Sequence, residues 1–280
     1  MSSAVVVHGL EKRYGDRAAL RGIDFSIEAG EVFGLLGPNG AGKTTTVEIL
    51  EGYRKRDGGS VEVLGADPQS AGGAWRQRIG VMLQSSSLYP NLTVRESLTV
   101  FAGYYERPRD ADEVIEIVGL EEKRGDRVRT LSGGQQRRLD LALALVGDPE
   151  LVFLDEPTTG FDPGARRAAW ETVRNLRTLG KTILLTTHYL DEAAQLADRL
   201  AVLREGRIVR EGRPSELTGG AVVTEIRYRL DGREVVERTR EPTQRLHELT
   251  AEALARGEEL VELEVRRPTL EDVYLELTAE

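Results

Sequence analysis

Gly37-Pro38-Asn39-Gly40-Ala41-Gly42-Lys43-Thr44 fills every position of the pattern G-x-x-x-x-G-K-[ST]. It follows the unbroken apolar run Val32-Phe33-Gly34-Leu35-Leu36 and leads into a helical stretch through Thr45–Leu50. A run of that kind fits a strand buried on both faces, as in a parallel sheet. Glycines let the backbone wrap so that successive N–H groups point inward, and the start of a helix adds partial positive charge. Together they form a cradle for phosphate oxygens. In such a cradle Lys43 reaches the β- and γ-phosphates of a nucleotide and the Thr44 hydroxyl ligates magnesium, with Thr45 beside it.

Outward from this turn, two more runs have the same buried character: Leu151–Leu154 and Thr182–Thr186. Between them lies a helical pattern, Pro163–Leu179, stopped at Gly180. Strand, helix and strand in that order predict an α/β crossover unit. Asp155 and Glu156 emerge at the carboxyl end of the first run, where ligands of open α/β sheets collect. A carboxylate at Asp155 can hold magnesium through water, and Glu156 can orient and polarise an attacking water.

Before the phosphate turn, Ala4–Leu10 and Ile23–Ile27 alternate as short strands, broken by Gly15-Asp16 and Ala29-Gly30. From about Ser85 to Pro149 no buried-strand run occurs. Leu92–Tyr104 and Asp112–Gly119 carry helical spacing instead, which predicts a helical insertion at 85–150. After Gly219-Gly220 the texture changes again. Residues 221–280 read as a hairpin around Asp231-Gly232, a helix over Thr243–Ala255, a strand over Leu260–Val265 and a last helix over Thr269–Thr278 capped by Thr269 and Asp272. This predicts a small α+β domain at 221–280 following a large one at 1–220.

Composition sets the outer bounds. The chain has 280 residues, 40% hydrophobic and 30% charged, the balance of a globular protein. It has no cysteine, which excludes a disulfide framework and any thiolate-held zinc or iron–sulfur centre. A net charge of −9 argues against a protein that works by neutralising nucleic-acid phosphates. Residues 225–280 carry 15 acidic against nine basic side chains, most of that excess. The longest aliphatic stretch, Leu141–Val146, is far shorter than the roughly 18 apolar residues needed to cross a bilayer, and nothing near the N-terminus marks the chain for secretion. Only five of the 38 cations are lysine, an arginine bias that looks like a GC-rich bacterial genome.

Leu131-Ser132-Gly133-Gly134-Gln135 precedes another helix, Gln136–Val146, and offers a hydroxyl, two glycines and a helix start: a second phosphate-binding surface. One phosphate cradle has no use for two. At this point the chain resembles the ATP-binding cassette ATPases, whose signature motif this is, over about residues 4–215. Further matching elements appear in order. Tyr14 stands where the family has an aromatic that stacks on adenine. Gln84, ending the strand-like Ile79–Leu83, matches a glutamine that contacts magnesium and reports to a membrane partner. Gly160-Phe161-Asp162 matches the loop after the catalytic Glu, with Phe161 replacing the common leucine. His188 matches the histidine that senses the γ-phosphate. His8 and His247 match nothing and read as structural.

The resemblance implies an α/β architecture: a P-loop NTPase core with an N-terminal antiparallel β subdomain, a helical insertion and a small C-terminal α+β accessory domain. It implies ATP and Mg2+ as ligands, with Lys43, Glu156 and His188 catalytic and Thr44, Gln84 and Asp155 at the metal. It also implies a head-to-tail homodimer in which Ser132 and Gly134 of one protomer face the ATP held by Lys43 and Thr44 of the other, with Gly133 and Gln135 among the nucleotide-binding residues. A separate transmembrane permease would dock near Ser85–Leu98, placing the protein on the cytoplasmic face of the membrane. Leu88, Leu92, Val94 and Leu98 read more simply as packing within the insertion. Arg267–Thr278 and Leu131–Pro163 are similar to daunorubicin/doxorubicin-type drug-resistance exporters, which implies efflux of a drug-like or other amphipathic molecule. Sodium, lipid or polysaccharide export, nutrient import, and soluble cassettes of DNA repair or translation stand as alternatives. For residues 221–280 a stabilising or shielding appendage and a regulatory element both remain open.

Overall fold

The unbroken apolar runs form the middle of one sheet, and their residues alternate between two cores. The computed structural model describes the chain except residues 1, 83–87, 160, 162, 218–223, 231–232, 267–271, 273 and 275–280. It divides into two units, Met1–Glu211 and Gly212–Glu280.

In the first unit the chain runs through β1 (Ser3–Tyr14), β2 (Arg17–Glu28), β3 (Val32–Leu36), α1 (Lys43–Leu50), β4 (Gly58–Val63), α2 (Gly73–Arg76) and β5 (Ile79–Met82). The insertion follows as α3 (Val94–Ala102), α4 (Ala111–Ile117) and α5 (Gly133–Leu145). The chain then returns through β6 (Leu151–Asp155), α6 (Pro163–Thr178), β7 (Thr182–Thr187), α7 (Leu190–Leu196), β8 (Arg199–Arg204) and β9 (Arg207–Gly212). A three-stranded sheet has the order β2-β1-β4, with both pairs antiparallel. A six-stranded sheet has the order β5-β6-β7-β3-β8-β9, parallel from β5 through β8.

Every residue of β3, β6 and β7 is buried. Successive side chains of a strand point to opposite faces. Val32, Val152, Leu154, Ile183 and Leu185 face a core shared with Leu98, Leu139, Leu145 and Val173 of the helices. Phe33, Leu35, Phe153 and Leu184 face a second core with Ile23, Ile27, Val47 and Leu50. Two-sided burial is why these strands read as continuous apolar stretches instead of alternating ones. The insertion is helical, as the spacing predicts. Val94 and Leu98 are fully buried in it and Leu88 packs against it. Strands β4, β8 and β9 were not apparent in the sequence. Gly58-Gly59-Ser60 opens β4 with weak strand formers, and arginines at both ends of β8 shorten its apolar run. No helix among the described residues is long and apolar enough to cross a membrane.

The second unit contains α8 (Pro214–Leu217), β10 (Thr224–Leu230), β11 (Arg233–Thr239), α9 (Pro242–Arg256) and β12 (Val261–Arg266). Its sheet has the antiparallel order β11-β10-β12, and Ile226 and Tyr228 pack on Leu249 of α9. The register Leu230↔Arg233 leaves a two-residue connection. The expected Asp231-Gly232 turn and the Thr269 cap lie outside the described residues.

Candidate functional site

Because β3, β7 and β6 are neighbours and parallel, the turn after Leu36 and the residues after Leu154 reach the same end of the sheet. There the structure forms a cleft of about 630 Å³ lined by Tyr14, Asn39, Gly40, Gly42, Lys43, Thr44, Thr45, Glu156 and His188, together with Arg17, Ala19 and Thr159. Nine residues singled out in the sequence therefore meet in one place. Gly37, Pro38 and Ala41 complete the turn behind them: the Gly37 and Pro38 carbonyls accept from Lys43 Nζ at 2.7 and 3.3 Å, and Ala41 is buried beneath. Gly42 has φ +113, and a Cβ there would come within 2.7 Å of Leu20 and 2.9 Å of the Ala19 carbonyl. Only glycine fits that close approach.

Lys43 is 5% exposed, with Nζ 3.7 Å from Glu156 Oε1. Burial pushes its ammonium below the usual lysine range, against the pull of Glu156 and Asp155. The Thr44 hydroxyl lies 3.4 Å from Asp155 Oδ2, and Asp155 Oδ1 accepts a short hydrogen bond from the Thr186 hydroxyl, its register partner on β7. A hydroxyl and a carboxylate side by side are hard oxygen donors. That set suits magnesium, which takes one or two protein ligands and completes its shell with phosphates and water.

Glu156 sits at φ +47, a left-handed conformation costing a non-glycine residue about 1–3 kcal/mol. The surroundings hold it there. Its N–H donates to the Thr186 carbonyl and hydroxyl (3.2 and 3.0 Å), and Arg137 Nη2 on α5 donates to the Asp155 and Glu156 carbonyls (3.0 and 3.2 Å). The carboxylate is fixed from both sides. Oε2 accepts from the Thr159 hydroxyl at 3.1 Å, and Oε1 lies 3.2 Å from His188 Nδ1. Tyr14 is 41% exposed at the cleft edge. Its hydroxyl is 3.5 Å from that of Thr45, and Lys12 and Arg54 lie over its ring.

Ser132, Gly133, Gly134 and Gln135 do not line this cleft. They form the start of α5, where Ser132 and Gln135 cap one another: Gln135 N–H donates to Ser132 Oγ at 3.3 Å and Ser132 N–H to Gln135 Oε1 at 2.9 Å. Gln84 and Asp162 lie outside the described residues.

Sequence reading missed Arg17, Thr159, Arg137 and Thr186. The last had a signal, since a threonine ending an apolar strand beside an aspartate can pair with it. It also missed Glu51, which opens on a neighbouring groove of about 830 Å³ that Thr44 and Asp155 also line. Burial, with the Asp155 and Glu48 charges, pushes the Glu51 carboxyl up to about 8.

The ABC transporter family profile matches residues 20–159. A Nod factor export ATP-binding protein I from Burkholderia orbicola (strain AU 1054) is 48% identical over 213 residues, 74% of this chain and 70% of that one. A protein of the same name from Rhizobium etli is 41% identical and covers 99% of this chain and 93% of its own length. Among solved structures, cbiO1 of Clostridium perfringens, part of the ABC transporter complex cbiONQ, superposes with a TM-score of 0.71 at 28% identity over 78% of this chain and 92% of that one. An ATP-binding cassette solved as a dimer in a post-hydrolysis state, bound to ADP and phosphate, gives a TM-score of 0.67 at 26% identity, covering 75% and 98%. With its phosphate turn, paired oxygen donors and held carboxylate in one cleft, the chain belongs to the ABC transporter family as an ATP-binding cassette, whose activity is the hydrolysis of Mg-ATP.

Proposed function

We propose that this chain is the ATP-hydrolysing subunit of a membrane exporter, working as a head-to-tail homodimer against a separate permease. The observation that carries it is the composition of the cleft: Lys43, the Thr44–Asp155 pair and the Thr159–Glu156–His188 set are together, and Ser132–Gln135 are elsewhere. A protomer with half of a phosphate site at each of two places is completed by a two-fold axis. In this reading the P-loop amides and Lys43 bind the β- and γ-phosphates, and Tyr14 supports the adenine. Thr44, Asp155 and Gln84 hold magnesium, and Asp162 belongs to the nucleotide-binding set. Bound magnesium supplies charge neutralisation on those phosphates. Glu156 takes the proton from the attacking water, and His188 contacts the γ-phosphate edge. Ser132, Gly133, Gly134 and Gln135 of the second protomer close over the same phosphates.

The permease docks on the helical insertion and holds the cassette at the cytoplasmic face of a bacterial membrane. Relatives named for Nod factor export, aligned over almost the whole chain, support export over import. They lend nothing specific to antibiotic resistance; a drug-like or other amphipathic cargo rests on the likeness of Arg267–Thr278 and Leu131–Pro163 to drug-resistance exporters. Nod-factor-type cargo is the second reading, favoured by those names.

The test mixes protomers. Lys43→Ala and Gly134→Asp homodimers should each lose ATP turnover, and Lys43→Ala should no longer bind Mg-ATP. The mixed dimer keeps one intact composite site and should recover part of the parent rate. A verified mixed dimer with no turnover would sink the shared-site reading, and unchanged ATP affinity in folded Lys43→Ala would remove the phosphate assignment.

A further inference from the structure

Behind the cleft lies a carboxylate outside this set of roles. Glu192, on the first turn of α7, is 0% exposed. Its Oε1 accepts from the Thr158 hydroxyl at 2.8 Å and from Trp170 Nε1 of α6 at 3.2 Å. Thr158 is itself buried and precedes Thr159, whose hydroxyl holds Glu156 Oε2. On the other side, α7 begins just after His188 and Tyr189. The Tyr189 ring lies 4.1 Å from the His188 ring and 4.3 Å below the Arg166 guanidinium of α6. Arg166 Nη1 in turn lies 3.7 Å from Asp191, the neighbour of Glu192. Thr158 of the loop after Glu156 and Trp170 of α6 thus meet on one buried oxygen of α7, the helix that begins just after His188 and Tyr189.

We propose that Glu192 is a positioning residue: by gripping Thr158 from below it fixes the Thr159–Glu156–His188 arrangement, so that the carboxylate and the imidazole are held in register for the reaction. This rests on the reading of Glu156 and His188 given above. Both partners of Oε1 are donors, the Thr158 hydroxyl and the Trp170 indole N–H, so an oxygen acceptor is what the position requires. Burial pushes the Glu192 carboxyl above the ordinary range. A misplacement of about 1 Å in a reacting group costs on the order of 10²-fold in rate.

The test is steady-state ATP hydrolysis by the full chain for Glu192→Ala, Glu192→Gln, Thr158→Val and Thr158→Ser, beside Glu156→Gln. Glu192→Ala should lower kcat by about 10–100-fold, with KM for ATP within about twofold of the parent. Glu192→Gln, which keeps the acceptor, should stay within about threefold of the parent. Thr158→Val removes only the donor and should lower kcat by about tenfold, and Thr158→Ser should restore it. Combining Glu192→Ala with Thr158→Val should cost no more than Glu192→Ala alone, because both break one contact. Where Glu192→Ala does not fold, the Thr158 pair decides. A Thr158→Val enzyme at the parent kcat, equal losses in Thr158→Val and Thr158→Ser, or a rise in KM at constant kcat would each overturn the proposal. A Glu156→Gln protein at the parent rate would instead remove the reading on which it rests.

Discussion

The cleft of the Met1–Glu211 unit and the sheet of the Gly212–Glu280 unit bury acids in opposite ways. At the cleft, Asp155, Glu156 and Glu192 are buried but tied mainly to hydroxyls, an indole and the His188 imidazole, with Lys43 3.7 Å from Glu156. In the Gly212–Glu280 unit, Glu225 is 1% exposed and gripped by Arg227 and Arg238 at 3.0 Å, with Arg266 at 3.6 Å. Asp272 bridges Arg227 and Arg266 again. The apolar cores differ in the same sense. The first unit has two extensive clusters, whereas the second has Ile226, Tyr228 and Leu249 with a few partly buried neighbours. A large core can tolerate carboxylates held by weak neutral donors and so keep them reactive. A small one commits its charges to holding the sheet together. At the cleft of the first unit buried acids are left to neutral partners, whereas Glu31 with Arg199 in that unit and Glu225 in the second are committed to structural ion pairs.

Glu156→Gln tests the first half most severely. The amide keeps the shape and the Thr159 contact but cannot accept a proton. Turnover should fall by about 10²–10⁴-fold while Mg-ATP still binds, and an ATP-dependent dimer should persist on size-exclusion chromatography. Phosphate release at the parent rate would show that the base lies elsewhere. Glu225→Ala tests the second half. It removes the buried acceptor that three guanidiniums share, and breaking a buried charge cluster typically costs about 3 kcal/mol. Limited proteolysis should then cut within residues 212–280 while ATP turnover stays near the parent value. A large loss of turnover would show that the two units are not energetically separate.

The same contrast explains what was legible in the sequence. The phosphate contacts proposed for them constrain spacing, so Gly37–Thr44, Asp155-Glu156 and Ser132–Gln135 could be read as strings. The three buried strands followed from burial on both faces. Arg137 and Glu192 did not declare themselves, because their roles depend on partners 18 and 34 positions away in the chain, and neither an arginine nor a glutamate on a helix signals a buried contact. In the second unit the strands and α9 could be read from alternation and helical spacing. The cluster around Glu225 could not, since it forms only when β10, β11 and β12 come into register.

Arg137 gives a smaller but sharper test of how the first unit holds its acid. Its guanidinium donates to two successive carbonyls and so pins the strained Glu156 backbone from the helix that begins at Ser132. Lysine keeps the charge without the planar fork. Arg137→Lys should lower kcat by about tenfold with little change in KM for ATP, the cost of about one charge-assisted hydrogen bond. An unchanged kcat would mean that Thr186 alone holds the turn.

The smallest expected effect concerns Glu51, which lacks both kinds of support: no hydrogen bond or ion pair to its carboxyl occurs among the described residues, and Asp155 and Glu48 repel its charge. Its carboxyl is pushed from the model-peptide value of 4.5 up to about 8. The sign follows directly. Below about 4.5 both folded and unfolded chains hold the proton, so the group is neutral to stability. Between about 4.5 and 8 the folded protein keeps a proton that the unfolded chain has released, so stability falls as pH rises, and above about 8 the full cost is present. Glu51 borders an open groove, and solvent screening brings that cost to about 1–2 kcal/mol. In metal-free buffer with chelator, Glu51→Gln should match the parent in urea unfolding at pH 4.5 and exceed it increasingly toward pH 8.5. Added magnesium should shrink the gap, because a cation beside Asp155 draws the Glu51 carboxyl back down. A gap that does not change with pH would show that Glu51 is ionised throughout and that this unit accommodates an unpaired charge.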